Sequence, residues 1–128
     1  MTKEKIEYCK ANGIDSIMVK NAEEKGRVSG RTAFDAMRAG DNAAKEVVDE
    51  YISYLASGLA TIINIFQPEI LSIGGGISNE GQFLLDRVVP LVRQEQYGYG
   101  FVELTVIRIA ALGNDAGIIG AAVLGDTI

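Results

Sequence analysis

The chain has no histidine, no tryptophan, a single cysteine and only two prolines in 128 residues. Without an imidazole there is no Ser-His-Asp triad, no Cys-His pair, no histidine-ligated metal and no histidine general base. One thiol makes neither an internal disulfide nor a multi-cysteine zinc site, so Cys9 reads as a helix packing position. Basic charge is scarce too: 12 Lys and Arg against 17 Asp and Glu give a net charge of −5 and a pI near 4.7. The basic residues form no block, which argues against direct nucleic-acid binding or attachment to an anionic membrane. The longest apolar run, Ala116 to Gly125, falls short of the roughly 20 residues of a spanning helix. The first residues, Met1-Thr2-Lys3-Glu4-Lys5-Ile6-Glu7, contain acidic side chains and no apolar core of a signal peptide, so a cytoplasmic location is expected. No Gly-x-x-x-x-Gly-Lys-Ser/Thr phosphate loop occurs. Any catalysis would fall to carboxylates or lysines, and no acidic pair stands out.

What is present suits one compact α/β domain over residues 1–128, with 48% hydrophobic and 23% charged residues. The most informative stretch is Ile70-Leu71-Ser72-Ile73-Gly74-Gly75-Gly76-Ile77-Ser78. A short apolar run breaks into three consecutive glycines, each disfavoured in regular structure by roughly 0.5–1 kcal/mol relative to alanine. Such a run after a strand implies unusual dihedrals or the close approach of another group. Two readings follow from the motif alone: a nucleotide edge or a tight turn.

Periodicity places short helices over residues 3–11 and 15–25, divided at Asn12-Gly13. A third is expected to be capped by Thr32, to carry Phe34 and Met37 inward and to stop at Gly40. Asp41 or Asn42 then caps the longest element. From Ala43 to Phe66, the positions Val47, Tyr51, Tyr54, Leu55, Leu59, Ile62, Ile63 and Phe66 recur at spacings of three and four, the mark of one helical face. Beyond Leu55 the helix is almost uniformly apolar or small and is expected to be buried on several sides. Pro68 disfavours helix at Gln67.

Ile70 to Ile73 reads as a buried strand, and Asn79 followed by Gln82 as a capping box for the next helix. Leu84, Val88, Leu91 and Val92 line that helix's inner face, and Pro90 predicts a kink or a break. Tyr97-Gly98-Tyr99-Gly100 is a turn, and Val102 to Leu112 a second strand. A last helix starts at Asn114 or Asp115, with Gly117, Gly120 and Ala121 on one face suited to a tight crossing. Asp115 reads as a cap, not as a catalytic carboxylate. Strands separated by helices imply a parallel sheet. Two strands make a thin sheet whose faces and edges call for partners.

Three ordered segments carry a family resemblance: Thr32-Ala33-Phe34-Asp35-Ala36 with Ala39-Gly40-Asp41, then Gln67 to Ser78, then Ala111 to Ala122. Over about residues 30–125 they resemble the C-terminal part of the ROK family of sugar kinases and sugar-responsive repressors, in the actin-like (ribonuclease H-like) ATPase superfamily. Residues 1–28 are a helical lead-in with only a loose match. The resemblance implies a partial actin-like ATPase domain: the C-terminal lobe of a glucokinase-like hexose kinase, a small sheet packed by long helices. It puts Gly74, Gly75 and Gly76 on the family's adenosine motif with Ile77 as a pocket wall, and implies ATP as the nucleotide. Gly113 to Ala122 falls on the helix linking the family's two lobes.

The family's N-terminal lobe supplies an Asp-x-Gly-Gly-Thr phosphate loop, a catalytic aspartate, and a Glu-x-Gly-His sugar contact followed by a cysteine-rich zinc motif. None of that lobe's motifs occurs here, so no catalytic or metal-binding residue is assigned and the lobe itself is the implied partner. The chain alone is expected not to phosphorylate sugar and to bind ATP weakly if at all. Three functions stay open: the nucleotide-side lobe of an ATP-dependent hexose kinase, dimeric like its implied relatives; the effector or dimerisation half of a sugar-responsive repressor; and a stand-alone structural module. A dinucleotide fingerprint is set aside, because its final glycine falls on Asn79.

Overall fold

A computed structural model describes residues 1–124; Gly125, the end of the longest apolar run, lies outside them. Six helices and two strands follow in the order α1 (Thr2–Ala11), α2 (Ile17–Lys25), α3 (Arg31–Arg38), α4 (Asn42–Phe66), β1 (Ile70–Ile73), α5 (Gln82–Glu95), β2 (Val106–Ile109) and α6 (Ala116–Val123) among the described residues. Short 3-10 turns, Gly76–Glu80 and Gly113–Asp115, follow the two strands. The contacts divide into two compact units, residues 1–54 and 55–128, with α4 running through the division.

The first unit is helical. α1 and α2 are separated at Gly13, whose φ of 65° suits glycine, and α2 ends on Gly26 in the left-handed conformation. The buried apolar side chains include Ile6, Cys9, Met18, Phe34, Ala36, Val47, Val48 and Ile52, which confirms Cys9 as a packing position. The ring of Phe34 meets that of Tyr51 edge-on, with centroids 6.1 Å apart. Thr32 does not cap α3: the helix starts after Gly30, and the Thr32 hydroxyl accepts the Ser29 backbone N–H at 3.0 Å. Asp41 does cap α4, its Oδ1 accepting the Ala44 N–H at 3.1 Å.

One carboxylate serves two helices. The Oδ2 of Asp41 accepts the Ser16 hydroxyl at 2.6 Å and the Met18 N–H at 3.2 Å, at the start of α2. Ser16 is itself the α2 N-cap, accepting the same Met18 N–H. Burial pushes the Asp41 carboxyl towards the neutral form. The hydrogen bonds from Ser16, Ala44, Met18 and Ile17 outweigh it and hold the pKa below the ordinary value.

The second unit holds the sheet. β1 and β2 are parallel, in the register Ile70–Val106, Leu71–Ile107, Ser72–Arg108 and Ile73–Ile109, as the helix between them requires. Side chains alternate across the sheet. Leu71, Ile73, Ile107 and Ile109 share the covered face, while Ile70 and Val106 are 48% and 54% exposed on the other. The strand expected to be buried is therefore covered on one side only. Leu84, Val88 and Val92 of α5 are fully buried, and α5 packs against β2. The helix runs unbroken through Pro90, which sits on its exposed side with Asp86, whose carbonyl loses its partner.

Other boundaries differ from expectation. α5 is preceded by Gly81, not capped by Asn79, whose amide instead donates to the Gly76 carbonyl. β2 covers only Val106–Ile109 of the Val102 to Leu112 stretch, because β1 offers four residues to pair with; the preceding Thr105 donates its hydroxyl to the Pro68 carbonyl at 2.6 Å. The far half of α4 is not buried all round: Leu59, Ala60 and Ile63 are buried, whereas Ile62, Ile65 and Phe66 are exposed. A two-stranded sheet and one helix offer too little surface to cover more than one side. The chain leaves α4 through Gln67 at φ 44°, just before Pro68.

Candidate functional site

The parallel register ends both strands at the same level, so the turns after them lie side by side at the carboxyl ends of the sheet. In open α/β sheets this is where ligands bind. The Ala110 N–H continues the ladder by donating to the Ile73 carbonyl at 2.9 Å. The first turn is then Gly74 to Glu80 and the second Ala110 to Asp115.

Gly75 adopts φ 74°, ψ −168°, a region open essentially only to glycine. Its carbonyl turns back to accept both the backbone N–H of Ser78, at 3.1 Å, and the Ser78 hydroxyl, at 2.6 Å. This pair of hydrogen bonds folds the chain into the 3-10 turn and buries the Ser78 side chain. Gly113, at φ 52°, lies close by: a Cβ there would stand 3.7 Å from the Ser78 hydroxyl.

The sequence-identified residues Gly74, Gly75, Gly76 and Ile77 thus fall on one turn, the glycines exposed and Ile77 half-buried. Packing does not explain all three glycines. A Cβ on Gly74 would meet Ala110 and Gly113 only at 3.8 and 3.9 Å, ordinary contact, and one on Gly76 would meet nothing within 4 Å. Bare backbone on an open surface leaves room for a flat group to lie against it. Ser78 and Gly113 also shape this surface, although the sequence carries Ser78 only as the end of the glycine stretch and Gly113 only as the start of the linker-helix motif. A Ser three positions after the turning residue is the local signal for the first, while the second is brought in only by strand pairing. Asp115 is exposed and makes no side-chain cap to α6. Among the described residues no cluster of His, Cys, Asp or Glu is arranged to hold a metal ion. Nor is any helix there long and apolar enough to cross a membrane.

Residues 7–127 match the family model described as "ROK family". The chain belongs to the ROK family. The match starts well upstream of the first ROK motif in the sequence, so the second half of α1 and all of α2 lie within it. Among curated relatives, the chain is 38% identical over 110 residues to a glucokinase of Thermotoga maritima, covering 84% of this chain and 33% of that protein. It is 35% identical over 94 residues to a β-glucoside kinase of Klebsiella pneumoniae, covering 73% and 29%. The chain spans about a third of the length of these curated relatives.

Among solved structures, a ROK family glucokinase from Streptomyces griseus, crystallised with glucose and AMPPNP, superposes with a TM-score of 0.78 at 27% identity. The alignment covers 96% of this chain and 39% of that one. A ROK hexokinase from Thermus thermophilus gives 0.62 at 28% identity, covering 84% and 37%. The fold is therefore that of part of a ROK sugar kinase, an actin-like ATPase, and the small parallel sheet belongs to it.

Proposed function

We propose that this chain forms the adenine-nucleotide side of an ATP-dependent hexose kinase of the glucokinase type and does not transfer phosphate by itself. The observation that carries the reading is the glycine surface at the carboxyl ends of the strands. Gly75 is fixed in a glycine-only conformation by Ser78, and Gly74 and Gly76 keep bare backbone that packing does not demand. In this reading adenine and ribose lie against Gly74, Gly75 and Gly76, with Ile77 as a wall. The neighbour crystallised with AMPPNP supports a nucleotide in this fold. Kinases among the relatives favour this role over a repressor's effector half.

The groups that would orient a sugar hydroxyl and a phosphate chain have no counterpart in the sequence, so ATP binds weakly here and chiefly through its nucleoside. The same reading has the chain work in the cytoplasm, as a homodimer and without direct contact to nucleic acid. Assaying purified protein for hexose-dependent ADP formation tests the central point. No turnover above a blank is expected, and genuine turnover would overturn the division of labour.

A further inference from the structure

At the amino ends of the strands, one strand length or about 10 Å from the glycine turns, lies a groove of about 420 Å³. Ile70, Val102, Leu104 and Val106 line it, and all four are more than a third exposed. Ile70 and Val106 are register partners, so the groove continues onto the open face of the sheet. Two exposed carboxylates, Glu69 and Glu103, stand on its walls. Four aliphatic side chains gathered in a concave site between carboxylates are suited to contact with another polypeptide.

We propose that this groove seats an apolar segment, flanked by lysine or arginine, of the polypeptide that supplies the rest of the sugar kinase. The inference rests on the kinase reading above. The structural neighbour matches 96% of this chain with only 39% of its own length, which leaves most of that kinase available to cover the open face. Charge argues against a second copy: a symmetric contact through this groove would set Glu69 and Glu103 against their own images. A basic flank on the incoming segment satisfies both carboxylates, in keeping with this chain's net charge of −5.

The test compares the same substitutions in two settings: the chain itself, and a chimera in which it replaces the matched third of the Thermotoga maritima glucokinase. Leu104→Glu and Val106→Glu place a carboxylate where water reaches it in the isolated chain, and should move its Tm by no more than about 2 °C. In the chimera each buries that charge against the rest of the kinase and should lower the Tm by about 5 °C or more. Equal shifts in both settings, a chimera that does not fold, or an isolated chain whose self-association Leu104→Glu abolishes would each overturn the proposal. Amide shifts of Gly74 to Ile77 on adding AMP report on the opposite end of the strands, so a failed groove leaves the nucleotide reading standing, and the reverse.

Discussion

The hydroxyl of Ser78 donates to the carbonyl of Gly75 across 2.6 Å and closes the turn that presents the glycine surface. Its removal separates the shape of the turn from the fold around it. Ser78→Ala deletes a neutral hydrogen bond worth about 1 kcal/mol. Urea titration should show a loss of that order, and the Ser78 amide, which donates to the Gly75 carbonyl, should gain exchange with water. A Ser78 amide as protected as before would mean that the backbone bond alone holds the turn.

Gly75 and Gly76 differ in what they do. Gly75→Ala forces a side chain into φ 74° and should cost about 1–3 kcal/mol. Gly76→Ala meets no atom within 4 Å and should leave stability within about 0.5 kcal/mol of the parent. The same methyl group stands where the nucleoside is proposed to lie, so Gly76→Ala should weaken AMP binding while Tm stays constant. Calorimetric titration beside thermal melting reads both effects, and undiminished AMP binding would remove Gly76 from the site.

Asp41 links pH to the helical unit. Its pKa lies below the ordinary carboxylate value near 3.8, so the unfolded chain takes up the proton first as pH falls. The stabilisation is complete above about pH 4 and is lost as pH drops through the lower, folded value. Asp41→Ala unpairs the Ser16 hydroxyl and the N–H groups of Met18 and Ala44 together, at a cost of about 2–4 kcal/mol at neutral pH. Asp41→Asn should flatten the acid limb of stability measured by urea unfolding between pH 3 and 7. An unchanged acid limb would contradict the double cap.

Neighbouring positions of α4 should respond oppositely. Ile63 is 1% exposed and Phe66 is 73% exposed. Ile63→Ala should cost about 2–5 kcal/mol, and Phe66→Ala less than about 0.5 kcal/mol. A large loss at Phe66 would mean that this end of α4 is covered in solution.

That contrast marks the limit of what helical periodicity encodes. The three- and four-residue spacing in α4 identified Val47, Leu59 and Ile63 as buried, because periodicity reports the angle of a side chain about the helix axis. It placed Tyr54, Ile62 and Phe66 with them, although these are exposed, because an angle does not say how much chain exists to cover it. Thr32 and Asn79 are competent caps whose helices begin elsewhere, after Gly30 and Gly81. Val102 to Leu112 reads as strand, yet only Val106–Ile109 finds a partner in β1.

At the site, the glycine run was legible because three adjacent glycines are locally abnormal. The proximity of Gly113 to Ser78 was not. It arises from the pairing of Ile73 with Ile109, a contact between residues far apart in the chain, which no local pattern encodes.

The most direct test of the account is a titration of AMP and ATP into the isotope-labelled chain, followed by backbone amide shifts. Weak, saturable shifts centred on Gly74, Gly75, Gly76 and Ile77 are expected, with AMP and ATP bound about equally. Shifts absent from that turn, or a tight preference for ATP, would contradict it.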